Sequence, residues 1–330
     1  MRPFCFLLLQ FVFSAISHLL LLICLIKFIE HLLHGYPAVT RNQKEYRNHI
    51  THRLLFGPLT FICGKEFMMT TQRMPALFLG HGSPMNVLED NTYTRAWHAL
   101  GGSLPRPKAI LAVSAHWFTR GTAVTAMENP RTIHDFGGFP QALFDKRYPA
   151  LGSPALAKRV QELLSPVNVM ADTSEWGFDH GTWGVLIKMY PDADIPVIQL
   201  SIDGTQPPEY HFELGRKLAV LRDEGVMIVA SGNVVHNLRM VKWDGNGEPY
   251  PWAVAFEKYV KDNLSWKGEA KDHPLVKFME HEGGALSNPS PDHYLPLLYV
   301  LGAWDGAEPV TQPTDGIVMG SLSMLSVQVG

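Results

Sequence analysis

From residue 73 to the end of the chain, short apolar runs bounded by glycine or proline alternate with longer amphipathic stretches. Such runs bury both of their faces only in a sheet covered by helices. The alternation therefore gives this segment the α/β pattern, as a single domain or a closely joined pair. Residues 76–79 (ALFL), 109–114 (AILAVS), 123–127, 167–170, 196–202 (PVIQLSI), 226–230 (VMIVA) and 322–329 read as strands. Residues 153–164, 181–190, 208–224, 251–264 and 291–301 read as helices. Ser153 is placed to cap a helix whose first position is Pro154, and Gly225 to close the one before it. About 260 residues suffice for one large core.

The first 67 residues differ. They hold all three cysteines (Cys5, Cys24, Cys63) and 7 basic against 3 acidic residues, whereas the remaining 263 hold 21 basic against 28 acidic. The larger part can thus contain neither a disulfide nor a cysteine-ligated metal, and it lacks the basic excess of a nucleic-acid binder. Residues 4–26 carry no formally charged side chain and are long enough to cross a bilayer as a helix. Two readings follow for residues 1–67: a membrane anchor, or an over-extended reading frame whose true start is Met68 or Met69. Residues 68–330 are the expected working domain. It would be cytoplasmic, or tethered to the membrane if residues 1–67 are expressed.

Ten of the fifteen histidines follow residue 67. His81, His116 and His236 each sit just beyond an expected strand, where open α/β sheets bind ligands. His293 begins the expected helix at 291–301 and can face the same edge. Several neutral imidazoles converging in one cleft suit a borderline first-row cation. The alternative is that each caps a turn or bonds a carbonyl, and no H-E-x-x-H or cysteine zinc pattern accompanies them. His180 precedes a helix, with Asp179 as either its N-cap or a partner for the imidazole. The loop containing His134, Phe136, Gly137 and Gly138 reads as a turn with two buried phenylalanines or as a lid over an aromatic substrate. His98, His211, His273 and His281 read as bystanders. Ser83 and Ser231 lack a nucleophile-elbow context. Met319 and Met324 read as core.

Six ordered motifs carry a resemblance: residues 75–86 (PALFLGHGSPMN), 109–121 (AILAVSAHWFTRG), 132–144 (TIHDFGGFPQALF), 177–186 (GFDHGTWGVL), 229–239 (VASGNVVHNLR) and 291–306 (PDHYLPLLYVLGAWDG). Together they resemble the class III extradiol ring-cleavage dioxygenases, and more closely the 4,5-DOPA dioxygenase extradiol family. The resemblance spans residues 73–330 and implies a single α/β domain with a central, mostly parallel sheet flanked by helices. It implies His81, His116 and His293 as metal ligands, and His236 as the acid/base histidine that can also reach the metal. It implies His180 as a catalytic residue handling oxygen and substrate. His134 and Phe136 are the expected substrate contacts. A His in the third ligand position departs from the two-His, one-Glu pattern of protocatechuate-type enzymes, leaving Glu280 and Glu282 as weaker carboxylate candidates.

The expected reaction is O2-dependent opening of a catechol such as DOPA to a muconate semialdehyde, with Fe(2+) as redox-active metal or Zn(2+) as bound metal. Two alternatives share the same residues: a zinc-dependent hydrolase, and a metal-binding interaction protein without turnover. The expected partner is a small-molecule catechol, not nucleic acid.

Overall fold

The structure is a computed structural model that describes residues 73–243 and 247–330. The apolar run at 4–26 and the boundary at Met68 lie outside the described residues. Among the described residues no helix is long and apolar enough to cross a membrane.

Eight strands form the central sheet: β1 (Ala76–Gly80), β2 (Ala109–Thr119), β3 (Thr122–Thr125), β4 (Val169–Asp172), β5 (Val197–Asp203), β6 (Val226–Gly232), β7 (Val310–Thr311) and β8 (Val327–Val329). Their order is β4-β3-β5-β2-β6-β1-β8-β7. The four central strands are mutually parallel, with Ala76 opposite Ile228, Ala109 opposite Val226 and Ile110 opposite Val197. β3 meets β5 antiparallel, and β8 runs antiparallel to β1. The principal helices are α1 (Thr92–Ser103), α2 (Pro154–Leu164), α3 (His180–Met189), α4 (Pro208–Leu218), α5 (Pro251–Asn263) and α6 (Leu295–Gly302).

Period-two alternation divides the core between the two faces of the sheet. In β6, Val226, Ile228 and Ala230 join the cluster containing Val160, Leu218 and Leu298. Met227 and Val229 join the opposite cluster with Trp97, Trp183 and Leu186. Parallel strands buried on both faces must read as continuous apolar runs, which is why residues 226–230 stood out.

Several boundaries move. β2 continues through His116 to Thr119, because its register against β5 shifts between Val113 and Phe118 and pairing then resumes. The segment at 322–329 is interrupted: Leu322–Ser323 pairs with Ile317–Val318, and only Val327–Val329 joins the main sheet. The helix expected from Pro208 to Glu224 divides after Leu218, with a short turn at Val220–Asp223 and Gly225 at φ +88° beyond it. α6 starts at Leu295 rather than Pro291, so His293 lies in the turn before it. Ser153 caps α2 as expected, accepting from Leu156 N. Met324 is buried, whereas Met319 is only half-buried and has φ +50°.

Arg222 fastens the amino-terminal end of the sheet. It is 0 % exposed. Its guanidinium donates to the carbonyls of Met74 (2.6 Å), Ala303 (2.8 Å) and Val329 (3.2 Å), and to both oxygens of Glu308 (2.8 and 2.6 Å). Arg222→Met takes a donor from each of three carbonyls, and Glu308 keeps only a 3.8 Å contact with Arg73. We expect it to lower the unfolding free energy by about 3–5 kcal/mol, read as a shift of the urea midpoint with unchanged slope.

Candidate metal and active site

The carboxyl ends of β1, β2 and β6 deliver three histidines to one edge. His81 follows β1 directly and donates its backbone N–H to the Gly232 carbonyl at 3.0 Å. His116 lies inside β2, within the stretch where the register shifts, a local irregularity of the kind that re-aims a side chain. His236 lies four residues past β6. The turn before α6 brings His293 across, and its carbonyl accepts the Asn233 N–H at 2.9 Å. A Cβ at Gly232 would stand 2.1 Å from that carbonyl oxygen, so only glycine permits this approach. His180 arrives as the first residue of α3. There a Cβ at Gly181 would stand 2.4 Å from Ser114 Oγ and 2.9 Å from the His116 ring.

Five imidazoles meet as a result. Ring centroids are 5.0 Å apart for His81–His116, 5.6 Å for His81–His180, 3.9 Å for His116–His180, and 5.3 and 5.0 Å from His293 to His81 and His116. His236 stacks flat on His293, with centroids 3.5 Å apart and planes 4° from parallel. The tightest set is His81, His116 and His180, whose candidate ligand atoms all lie within 4.8 Å of one another. His180, read from the sequence as catalytic, thus sits as close to His81 and His116 as a ligand would.

The hydrogen bonds orient most of these rings. Asp135 Oδ2 faces both His180 Nδ1 (3.0 Å) and His116 Nδ1 (3.3 Å), and Asp135 Oδ1 accepts the His180 backbone N–H at 2.8 Å. Asp292 Oδ2 bonds His293 Nδ1 closely. An ionised carboxylate only accepts, so His180 and His293 carry their proton on Nδ1 and leave the Nε2 lone pair free, while Asp135 stands near His116 Nδ1 without a hydrogen bond to it. His81 Nδ1 pairs with Ser231 Oγ at 2.9 Å, and Asn86 donates to the His81 carbonyl at 2.9 Å. His236 is the exception: neither ring nitrogen has a hydrogen-bond partner among the described residues.

Burial lowers the pKa of His81 and His116 well below the ordinary value, and the neighbouring imidazoles lower them further. Burial, then His293, brings His236 down to about 3. All three are neutral at pH 7. Burial acts to raise the Asp135 carboxyl, but the hydrogen bonds and charge of His180 outweigh it and hold the group below the usual range. The same balance with His293 brings Asp292 to about 2. Asp179 goes the other way, raised by burial and by Asp135 against hydrogen bonds from Ser114 and Gln199. It caps α3 through Thr182 N at 3.1 Å.

Neutral rings with inward lone pairs fit a divalent cation. His81 Nε2 and His116 Nε2 are 3.2 Å apart. Two nitrogens on one tetrahedral zinc-sized ion, each at about 2.0–2.1 Å, stand about 3.3 Å apart.

Phe136 packs edge-on against His180 at 5.5 Å. His134 lies one ring further out, 5.7 Å from Phe136, with Nε2 3.0 Å from the Lys146 carbonyl. Phe136 and Phe139 are half-buried, and Gly137 and Gly138 are exposed. Glu280 and Glu282 are exposed on a separate turn. Sequence reading missed Asp135 and Asp292, and it weighed Ser231 only as a nucleophile, not as a partner of His81. Asp135 stood between His134 and Phe136, both of which were singled out, and its type was the available signal.

The family of the catalytic LigB subunit of aromatic ring-opening dioxygenase matches residues 75–325. The chain belongs to this family. It is 71 % identical over 266 residues to the 4,5-DOPA dioxygenase extradiol of Escherichia coli K12, covering 81 % of this chain and 98 % of that protein. Identity to the 4,5-DOPA dioxygenase extradiol of Portulaca grandiflora is 40 % over 234 residues, covering 69 % and 85 %. A crystal structure of an uncharacterized Escherichia coli K12 protein superposes with TM-score 0.71 at 67 % identity, covering 78 % of this chain and all of that one. This LigB-family chain is therefore a metal-dependent, extradiol aromatic-ring-opening dioxygenase acting on a small aromatic molecule.

Asp135→Ala removes the carboxylate behind two imidazoles. We expect metal affinity to fall about 10–100-fold with the far-UV circular dichroism unchanged, measured as metal retained after dialysis against a chelator series.

Proposed function

We propose that this enzyme opens a catechol such as DOPA next to, rather than between, its hydroxyls, with O2 as cosubstrate, and releases a muconate semialdehyde. The names of the two relatives above support DOPA as the substrate class. The observation that carries the reading is the division among the imidazoles: three have Nδ1 hydrogen-bonded to Asp135, Asp292 or Ser231, His116 Nδ1 faces Asp135 at 3.3 Å, and His236 has no hydrogen-bond partner at either ring nitrogen among the described residues.

In this reading His81, His116 and His293 hold the metal, with His236 at its flank, and residues 68–330 form the catalytic unit. Bound Fe(II) supplies the redox chemistry that couples a catechol to O2, which Zn(II), having no accessible redox change, does not. His236 accepts the proton of a catechol hydroxyl on a ring nitrogen and later returns it. Its low pKa keeps it in the accepting form, and its stacking on His293 holds the ring plane. His180, its Nδ1–H held by Asp135, donates to the charge that develops on the reacting oxygens once Nε2 has also taken up a proton. Phe136 walls the cleft beside His180 and excludes water, and His134 braces Phe136.

The test is anaerobic loading with Fe(II), followed by oxygen and a panel of catechols. Oxygen uptake with a yellow ring-opened product is expected, with DOPA among the substrates. Absence of uptake at full iron occupancy would sink the proposal. His236→Ala should retain at least part of the metal and lose about 10²–10⁴-fold in turnover, and normal turnover in that variant would remove His236 from its role.

A further inference from the structure

α6 runs back from the histidine edge, so its end at Gly302 lies at the opposite end of the sheet, beside the Arg222 cluster. There the turn through Trp304, Asp305 and Gly306, together with Phe212, Arg216 and the turn from Trp266 to His273, lines a half-open cavity of about 430 Å³. Small-molecule sites span about 300–1,000 Å³. Nothing in the ring-cleavage chemistry uses this cavity.

His273 lines it, although only 2 % exposed. Burial holds this imidazole down to about 4, so it is neutral. Its Nδ1 accepts the backbone N–H of Leu275 at 3.1 Å, which puts the ring proton on Nε2. No acceptor for that proton is present among the described residues. Water, or an acceptor held in the cavity, completes that donor.

The rest of the lining selects an anion with a flat apolar body. The Lys267 ammonium lies 5.8 Å over the Trp304 ring and has no acidic partner among the described residues. The Arg216 guanidinium lies 5.5 Å over Phe212 and contacts Glu213 at 3.2 Å. The lining carboxylate, Asp305, is already engaged by Arg73 (3.2 Å) and by the N–H groups of Ala307 (2.8 Å) and Glu308 (3.0 Å). Trp304 is fixed by its indole N–H on the Glu308 carbonyl at 2.9 Å. Trp266 lies 4.8 Å from the His273 ring, and a Cβ at Gly268 would stand 2.3 Å from that indole. A bare inorganic anion would use the cations but leave two tryptophans without a role.

We propose that this cavity binds a small aromatic carboxylate, its ring against Trp266 and Trp304 and its carboxylate towards Lys267, Arg216 and the His273 Nε2–H. The probe is benzoate, titrated into the full-length protein and followed by tryptophan fluorescence and calorimetry, with benzyl alcohol for comparison. Saturable benzoate binding is expected, about tenfold tighter than benzyl alcohol and weakened about tenfold by Lys267→Ala. His273→Gln should weaken it too. Should that variant fail to fold, Lys267→Ala, on an exposed side chain, decides alone. His81→Ala should leave binding unchanged, which separates this cavity from the catalytic cleft. Non-saturable binding, equal affinity for benzyl alcohol, an unaffected Lys267→Ala variant, or loss of binding in His81→Ala would each overturn the proposal. None of these outcomes bears on ring cleavage.

Discussion

A neutral imidazole carries one proton on two nitrogens, and the position of that proton decides what the ring can bind. The geometry of the catalytic edge depends on this constraint. Asp135 and Asp292 accept from Nδ1 of His180 and His293, and so turn two Nε2 lone pairs inward, while Asp135 also lies 3.3 Å from His116 Nδ1. Without those acceptors the rings could rotate or change tautomer, and a 3.2 Å approach of two Nε2 atoms would have no defined purpose. Asp135 faces two rings from different elements. The loop that carries it is thereby tied to β2 and to the start of α3.

The carboxylates divide along the same lines. Asp135 and Asp292 are partly buried yet stay ionised because imidazole N–H groups surround them. Asp179 is fully buried, and its pKa rises although Ser114 and Gln199 donate to it. Its work is structural: it caps α3 and links that helix to β2 and β5. Two acids with opposite shifts therefore flank His180, one orienting its ring and the other the helix it starts. At the far end of the sheet Arg222 does the corresponding structural task, drawing together the segments before β1, after α6 and at the end of β8.

Much of this was legible in the chain. The apolar runs before His81 and His236 marked buried parallel strands, because such strands tolerate few polar residues on either face. The run before His116 was also legible, but its end was not, because β2 resumes pairing after a register shift that leaves no periodic signal. His293 was assigned to a helix and lies in the turn before it. Asp179 was weighed as a partner for its neighbour, yet the bond to His180 comes from Asp135, 45 residues away. His273 was set aside as a bystander, since nothing local reveals that its Nε2–H lacks an acceptor.

By itself the sequence determined the α/β class, the placement of His81 and His236 beyond strand ends, and the absence of cysteine from the larger segment. Those properties follow from local apolar patterning and composition, which need no knowledge of distant neighbours. Only the tertiary structure decided which nitrogens face inward, which carboxylates stand behind them, and which histidine keeps both nitrogens free. Hydrogen bonds between side chains far apart in sequence set these features, and such bonds exist only once the strands, the turn before α6 and the Asp135 loop have come together.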